Sequence, residues 1–481
     1  MLHEFGHALG LIHEHQNPAA AIPWNRAAVY DYYADRLTTG RRTGWNSTSS
    51  KPMTRQAPNI RRLTPIQSCS TPSPEFTEGG FSVGWNQTLS ETDKAFIAAC
   101  YPFPHTPAST SDSAQPAALA APAPSVAERF IIPVLRTQPF TDTHQAPPNT
   151  QRLHWNESPY DFPAALKAEV LRRLEGAKWS EYPPKMRPFD LSAGLAAKYK
   201  VAPESVVVSN GSSDVLRIVM TSVLQRDDQM VTVTPTFYAY KLWGERLGAT
   251  VHEIALAPDD GFALPVDALL HQVHATNAKL ILLATPNNPT GKAYPLAALQ
   301  QLVQGCEALL VIDEAYAEFC NQDLRPLLEL SDRVVLLRTF SKAFSMAGVR
   351  LGYALCAPAL GVELQKATTV FTLNLFAETV ATVALENEAY FQAGVARIVA
   401  AREAFAQALA TLPCVTLFPS DANFLLIRLD RPARPVAQQL MTQDRLLVGA
   451  LGDPGLEHYL RISVGTASQN EALVAALRSY L

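Results

Sequence analysis

Four apolar runs in the chain each lead into side chains that could do chemistry. RVVLLRT (333–339) leads into Ser341 and Lys342, and Arg350 follows the lysine by eight residues. ALLVID (308–313) ends on Asp313, with Tyr316 three residues on. KLILLATP (279–286) runs into Asn287, Asn288, Pro289, Thr290 and Gly291, and VVVSN (206–210) runs into Gly211, Ser212, Ser213 and Asp214. A lysine can form an imine with an aldehyde. A buried carboxylate can keep a ring nitrogen protonated. A phenol and an amide can donate to a phenolic oxygen, and hydroxyls, a guanidinium and a helix N-terminus can hold a phosphate dianion. Together these are the demands of pyridoxal phosphate, whose protonated ring acts as an electron sink.

A different chemistry stands at the other end of the chain. Residues 3–13 read HEFGHALGLIH. On a helix, His3 and His7 project from one face at i, i+4 spacing. Gly10 lets the chain turn so that His13 completes a three-histidine zinc site. Glu4 would then be the general base acting on a zinc-bound water.

The elements that must position these groups follow from the patterning. Short, wholly apolar runs alternate with helical periods from about residue 128 onward, which is the signature of an α/β domain built on a largely parallel sheet. In such sheets ligands bind beyond the carboxyl ends of the strands, where the polar residues above stand. Residues 104–127 are dominated by Ala, Pro and Ser and read as a disordered interdomain linker. Residues 84–101 read as a helix, and the stretch from about Lys51 to Gly80 as a loop or as disorder.

Composition narrows the partners. The chain has 481 residues, 47% of them hydrophobic and 17% charged, which suits several globular units. A net charge of −4 recommends neither nucleic acid nor anionic membrane as a partner. The six cysteines form no CxxC pair, so free thiols are expected. No apolar run is long enough to span a bilayer and no signal peptide is visible, so cytoplasmic residence is the expectation.

The C-terminal region resembles the fold-type-I aminotransferases, most of all the histidinol-phosphate aminotransferase family. The resemblance is carried by NESPY (156–160), YPP (182–184), SNGSSD (209–214), TPTFYAY (234–240), ATPNNPTG (284–291), VIDEAYAEF (311–319), RTFSKAFSMAGVRLGY (338–353), SDANFLL (420–426) and YLRISVGT (459–466). It implies a large domain over about 185–355, with a mostly parallel mixed sheet flanked by helices. A small α+β domain over about 150–184 and 356–481 would complete the aminotransferase unit of 128–481. It implies that Lys342 carries the cofactor and shuttles the proton, that Asp313 pairs with the ring nitrogen, and that Tyr316 and Asn288 bond its phenolic oxygen. Phe237 would stack on the ring. Ser212, Ser213, Thr339, Ser341 and Arg350 would hold the phosphate, joined by Tyr182 from the other subunit of a homodimer. Arg461, Asn156 and Tyr160 would contact substrate, with Arg461 on its carboxylate and 2-oxoglutarate as acceptor.

One departure bears on the substrate. The segment before YLRISVGT usually carries an arginine that binds substrate phosphate, and Gly449 stands there in LLVGALGDPGLEHYLRIS. Losing a charge-assisted contact of that kind costs about 1.5–3 kcal/mol. Histidinol phosphate and an aromatic amino acid therefore both stand as donors, and decarboxylation of an amino-acid phosphate is a third chemistry open to the same fold.

The N-terminal segment, about 1–103, resembles the astacin-like metzincin zinc proteases through HEFGHALGLIHEH and GWNQTLSETDKAFI. In that family a sheet subdomain precedes the helix and a Met-turn lies beneath the metal. The sequence opens directly on the zinc-motif helix, so the sheet subdomain is expected to be missing, and Lys51-Pro52-Met53-Thr54-Arg55 matches a Met-turn poorly. The segment is read as a mainly helical protease remnant, with zinc endopeptidase activity as the competing hypothesis.

Overall fold

The computed structural model describes residues 126–137, 147–183 and 188–481. His3, Glu4, His7 and His13, the loop and helix expected before residue 104, and all but the last two residues of the linker expected at 104–127 lie outside the described residues. Among the described residues, no group of His, Cys, Asp and Glu side chains could hold a metal ion, and no helix is long and apolar enough to cross a membrane.

Two sheets organise the fold. The larger has seven strands in the order β2-β8-β7-β6-β5-β3-β4. Its strands are β2 (Val206–Ser209), β3 (Gln229–Thr234), β4 (Thr250–Ala255), β5 (Leu280–Ala284), β6 (Leu309–Asp313), β7 (Val334–Thr339) and β8 (Gly352–Cys356). All run parallel except β8, which lies antiparallel between β2 and β7. Every residue of β5 and of β7 is buried. The reason is that both faces of the sheet are covered, so alternate side chains enter opposite cores. Ile281, Leu283, Ile312 and Leu336 pack in one core, and Leu280, Leu282, Val311 and Leu337 in the other. Truncating one of these leucines to alanine would cost about 2–5 kcal/mol.

The smaller sheet has five strands in the order β1-β11-β12-β10-β9. These are β1 (Gln151–Leu153), β9 (Val415–Phe418), β10 (Phe424–Leu429), β11 (Leu446–Ala450) and β12 (Tyr459–Ser463). Its neighbours are antiparallel except β1 and β11. It buries its own core, with Leu425, Ile427, Leu460 and Ile462 against Leu473 and Leu477 of the helix Ala467–Tyr480. That helix begins with a capping box, in which Thr466 and Gln469 satisfy each other's backbone donors. The helix Ala164–Glu175 places Val170 and Leu174 in the same core as the large sheet.

Candidate active site

The parallel strands of the large sheet all end on one edge, and a cavity of about 740 Å³ opens there. It is lined by Ser212, Ser213, Phe237, Asn288, Asp313, Tyr316, Thr339, Ser341, Lys342, Arg350, Asn156 and Arg461. Sequence reading thus named a dozen side chains, scattered over 300 residues, that the fold brings around one space.

The start of the helix Ser212–Val223 forms one end of the cavity. Gly211 precedes it with a φ of 88°, and a Cβ there would stand 2.5 Å from Arg350 Nη2. Only a glycine lets the guanidinium lie against the backbone at this helix start. Arg350 Nη1 donates to Ser341 Oγ at 3.3 Å, and Ser341 N donates to Thr339 Oγ1 at 3.0 Å. Two serines, a cation and free helix N–H groups make this an anion cradle.

Asp313 closes β6 on the cavity side. Tyr240 Oη donates to its Oδ2 at 2.9 Å, and Ala315 N donates to its Oδ1 at 3.0 Å. Burial pushes the carboxyl up to about 6, against the opposing pull of those two donors. A cation placed beside Asp313 would restore its charge. Tyr240 was not anticipated. It lies 73 positions from Asp313, and within TPTFYAY only the packing of the helix Ala239–Arg246 separates it from its aromatic neighbours.

Lys342 Nζ donates to the Trp155 carbonyl at 2.7 Å. Burial first, and then the nearby Arg461 charge, lower its amine to about 8. Such an amine is neutral, hence nucleophilic, in a larger fraction of molecules than a surface lysine. Arg461 Nη1 donates to Asn288 Oδ1 at 2.6 Å and Nη2 donates to the His154 carbonyl, while its buried Nε has no partner among the described residues. Arg461 lines the cavity, and a guanidinium there suits a carboxylate. His154 is driven down to about 4 by burial and then by Arg461 and Arg152, so it is neutral at physiological pH.

Three further expected residues have these surroundings. Asn156 is 1% exposed, and its amide nitrogen donates to Tyr316 Oη at 2.9 Å. Tyr160 is absent from the cavity lining and lies under the Arg397 guanidinium at 4.4 Å. Tyr182 is 78% exposed and stacks on Phe371 at 4.4 Å. Trp155, Glu157, Tyr238 and Asp453 also line the cavity; Glu157 and Tyr238 lie within NESPY and TPTFYAY, but the resemblance gives none of the four a role.

Residues 150–477 match the family model for aminotransferase class I and II. A histidinol-phosphate aminotransferase from Deinococcus radiodurans is 35% identical over 335 residues, covering 68% of this chain and 90% of its own length. One from Prosthecochloris aestuarii is 32% identical over 327 residues, with 68% and 90% covered. The crystal structure of a histidinol-phosphate aminotransferase from Sinorhizobium meliloti, in complex with pyridoxal-5'-phosphate, superposes with a TM-score of 0.66 at 24% identity, covering 73% of this chain and 97% of the other.

Proposed function

The chain belongs to the aminotransferase class I and II family and is a pyridoxal-phosphate-dependent aminotransferase, and on that premise we propose that it moves an amino group between histidinol phosphate and 2-oxoglutarate. The observation that carries the reading is one cavity, lined by Lys342, Asp313, Tyr316, Arg350 and Arg461. The likeness to histidinol-phosphate aminotransferases supports the choice of donor.

The residues fit the cofactor. Gly211 keeps the cradle open for a phosphate beside Arg350. Asp313 is a buried acid held by two donors, suited to a protonated ring nitrogen. When bound, the cofactor supplies the electron sink that makes the substrate α-proton acidic. Lys342 would hold the cofactor, and its Nζ would take up and return the substrate α-proton. Ser212, Ser213, Thr339, Ser341 and Arg350 would hold the phosphate, and Phe237 would pack on the ring. Tyr316 and Asn288 would bond the phenolic oxygen. Arg461 orients the carboxylate of glutamate and 2-oxoglutarate.

We place the activity in a homodimer, in which the exposed Tyr182 would reach the partner's cofactor phosphate. The HExxHxxGxxH segment is given no part in this chemistry.

A second reading is favoured by Gly449, which lies opposite Arg461 in the β11–β12 ladder. A Cβ there would stand 3.8 Å from Arg461 Nη2. A side chain at this position would thus sit beside the carboxylate site, and none is present. Lys342, Arg350 and Arg461 are the cations among the described lining residues, and each has a role already. An aromatic amino acid, with no second anion, is the donor this favours.

The test is a donor screen of the full chain with pyridoxal phosphate and 2-oxoglutarate, reading glutamate. Turnover of histidinol phosphate is expected. Turnover of aromatic amino acids alone selects the second reading, and a failure of every amine sinks both.

A further inference from the structure

We propose that Asn156 is a positioning residue that aims the Tyr316 hydroxyl proton into the cavity, and that Ser463 locks the Asn156 amide in the orientation this requires. The proposal rests on the reading of Tyr316 as a partner of the cofactor's phenolic oxygen.

The argument is one of hydrogen-bond direction. Asn156 Nδ2 donates to Tyr316 Oη at 2.9 Å. An amide nitrogen can only donate, so the tyrosine oxygen accepts and its own proton is free to turn elsewhere. Tyr316 lines the cavity, with Lys342 Nζ 5.9 Å from its ring centroid. With its oxygen already accepting, the phenol is a stronger donor toward anything placed there.

The reverse amide orientation would undo this, because Oδ1 would then draw the tyrosine proton away from the cavity. Ser463 excludes it. The Asn156 backbone N–H donates to Ser463 Oγ at 2.8 Å, so the serine proton is left in need of an acceptor. Asn156 Oδ1 is that acceptor at 3.2 Å. Flipping the amide would place two donors face to face at a site where Asn156 is 1% and Ser463 2% exposed. Asn423 Nδ2 fixes the Asn156 backbone by donating to its carbonyl at 2.9 Å. Asn156 has a φ of 53°, a left-handed conformation that asparagine adopts more readily than most residues. Proton direction thus runs from Ser463 of β12 through Asn156 to a tyrosine beyond the end of β6.

A hydrogen bond donated to the cofactor's phenolic oxygen stabilises its negative charge and lowers the pH at which the Lys342-bound chromophore loses its proton. The test is a spectrophotometric pH titration of full-length protein loaded with pyridoxal phosphate. Tyr316→Phe should raise the midpoint furthest. Asn156→Ala should raise it by roughly half to one pH unit. Asn156→Asp, which accepts from the tyrosine instead of donating, should raise it as far as Tyr316→Phe. Ser463→Ala, the gentler change, should raise it less and serves if Asn156→Ala does not fold. Added to Tyr316→Phe, Asn156→Ala should produce no further shift.

An unmoved midpoint in Asn156→Ala and Ser463→Ala overturns the proposal, as does an Asn156→Ala shift of equal size with and without the Tyr316 hydroxyl. Wild-type protein that takes up no cofactor overturns this proposal and the reading of the site together. A normal wild-type titration with unresponsive variants overturns this one alone.

Discussion

The two sheets serve the cavity in different ways. The seven-stranded sheet delivers Ser212, Asn288, Asp313, Tyr316 and Lys342 at or just beyond strand ends. Its strands are parallel apart from β8, so successive ends meet on one edge and each short loop carries its side chain to the same place. The five-stranded sheet is mostly antiparallel, and its neighbouring strands end on opposite edges. It reaches the cavity from within strands instead, through Arg461 in β12, with Gly449 facing it in β11. The large sheet thus presents the groups that would hold the cofactor. The small sheet presents those that would select a substrate and orient the others.

If that division is right, damage to the two sheets should look different. The largest effect belongs to the large sheet. Lys342→Ala should lower turnover by about ten-thousandfold, the upper range for removing a general acid–base group, and should abolish the cofactor absorbance band. A residual rate within tenfold of wild type would break the comparison.

Next comes the small sheet. Arg461→Met should raise KM for 2-oxoglutarate by roughly ten- to a hundredfold, as expected for losing a charge-assisted contact, while cofactor binding persists. It should also change Lys342. The Arg461 charge helps hold that amine at about 8, so its removal lets the pKa rise. Capture of cofactor by the apoprotein needs the neutral amine, so its rate should climb with pH through about 8 in wild type and at higher pH in the variant. Stopped-flow absorbance between pH 6 and 10 reads both. A variant that keeps its KM would remove Arg461 from the substrate site.

Gly449→Arg should sharpen the comparison, because it alters β11 alone. A gain of about tenfold in kcat/KM for histidinol phosphate over aromatic donors is expected from one added phosphate contact. An unchanged ratio would mean that Gly449 does not face the donor.

The smallest effect returns to the large sheet. Tyr240→Phe removes one of the two donors holding the Asp313 carboxylate, at a cost of about 1 kcal/mol. Burial then goes less opposed, and the acid rises above about 6. Asp313 must be ionised to hold a protonated ring nitrogen, so activity should fall several-fold and its acid limb should move to higher pH. A pH–rate profile superimposable on wild type would show that this hydrogen bond does not matter.

The same contrast explains what was legible in the sequence. Asp313, Lys342 and Ser212 stand next to the apolar runs that become β6, β7 and β2, so local pattern was enough to find them. Tyr240 was not legible, because its partner Asp313 is joined to it only by packing across the sheet. The Asn156–Ser463 contact spans 307 positions and joins the segment after β1 to the end of β12, and nothing in NESPY or YLRISVGT states which side chains the two segments share. The N-terminal HExxHxxGxxH is as local a motif as the lysine segment, and it lies outside the described residues.

The most direct test is to reduce the pyridoxal-phosphate-loaded protein with borohydride, digest it and locate the pyridoxyl adduct by mass spectrometry. A stoichiometric adduct on Lys342, absent from Lys342→Ala, is the predicted result. An adduct on another lysine, or none at all, would contradict it.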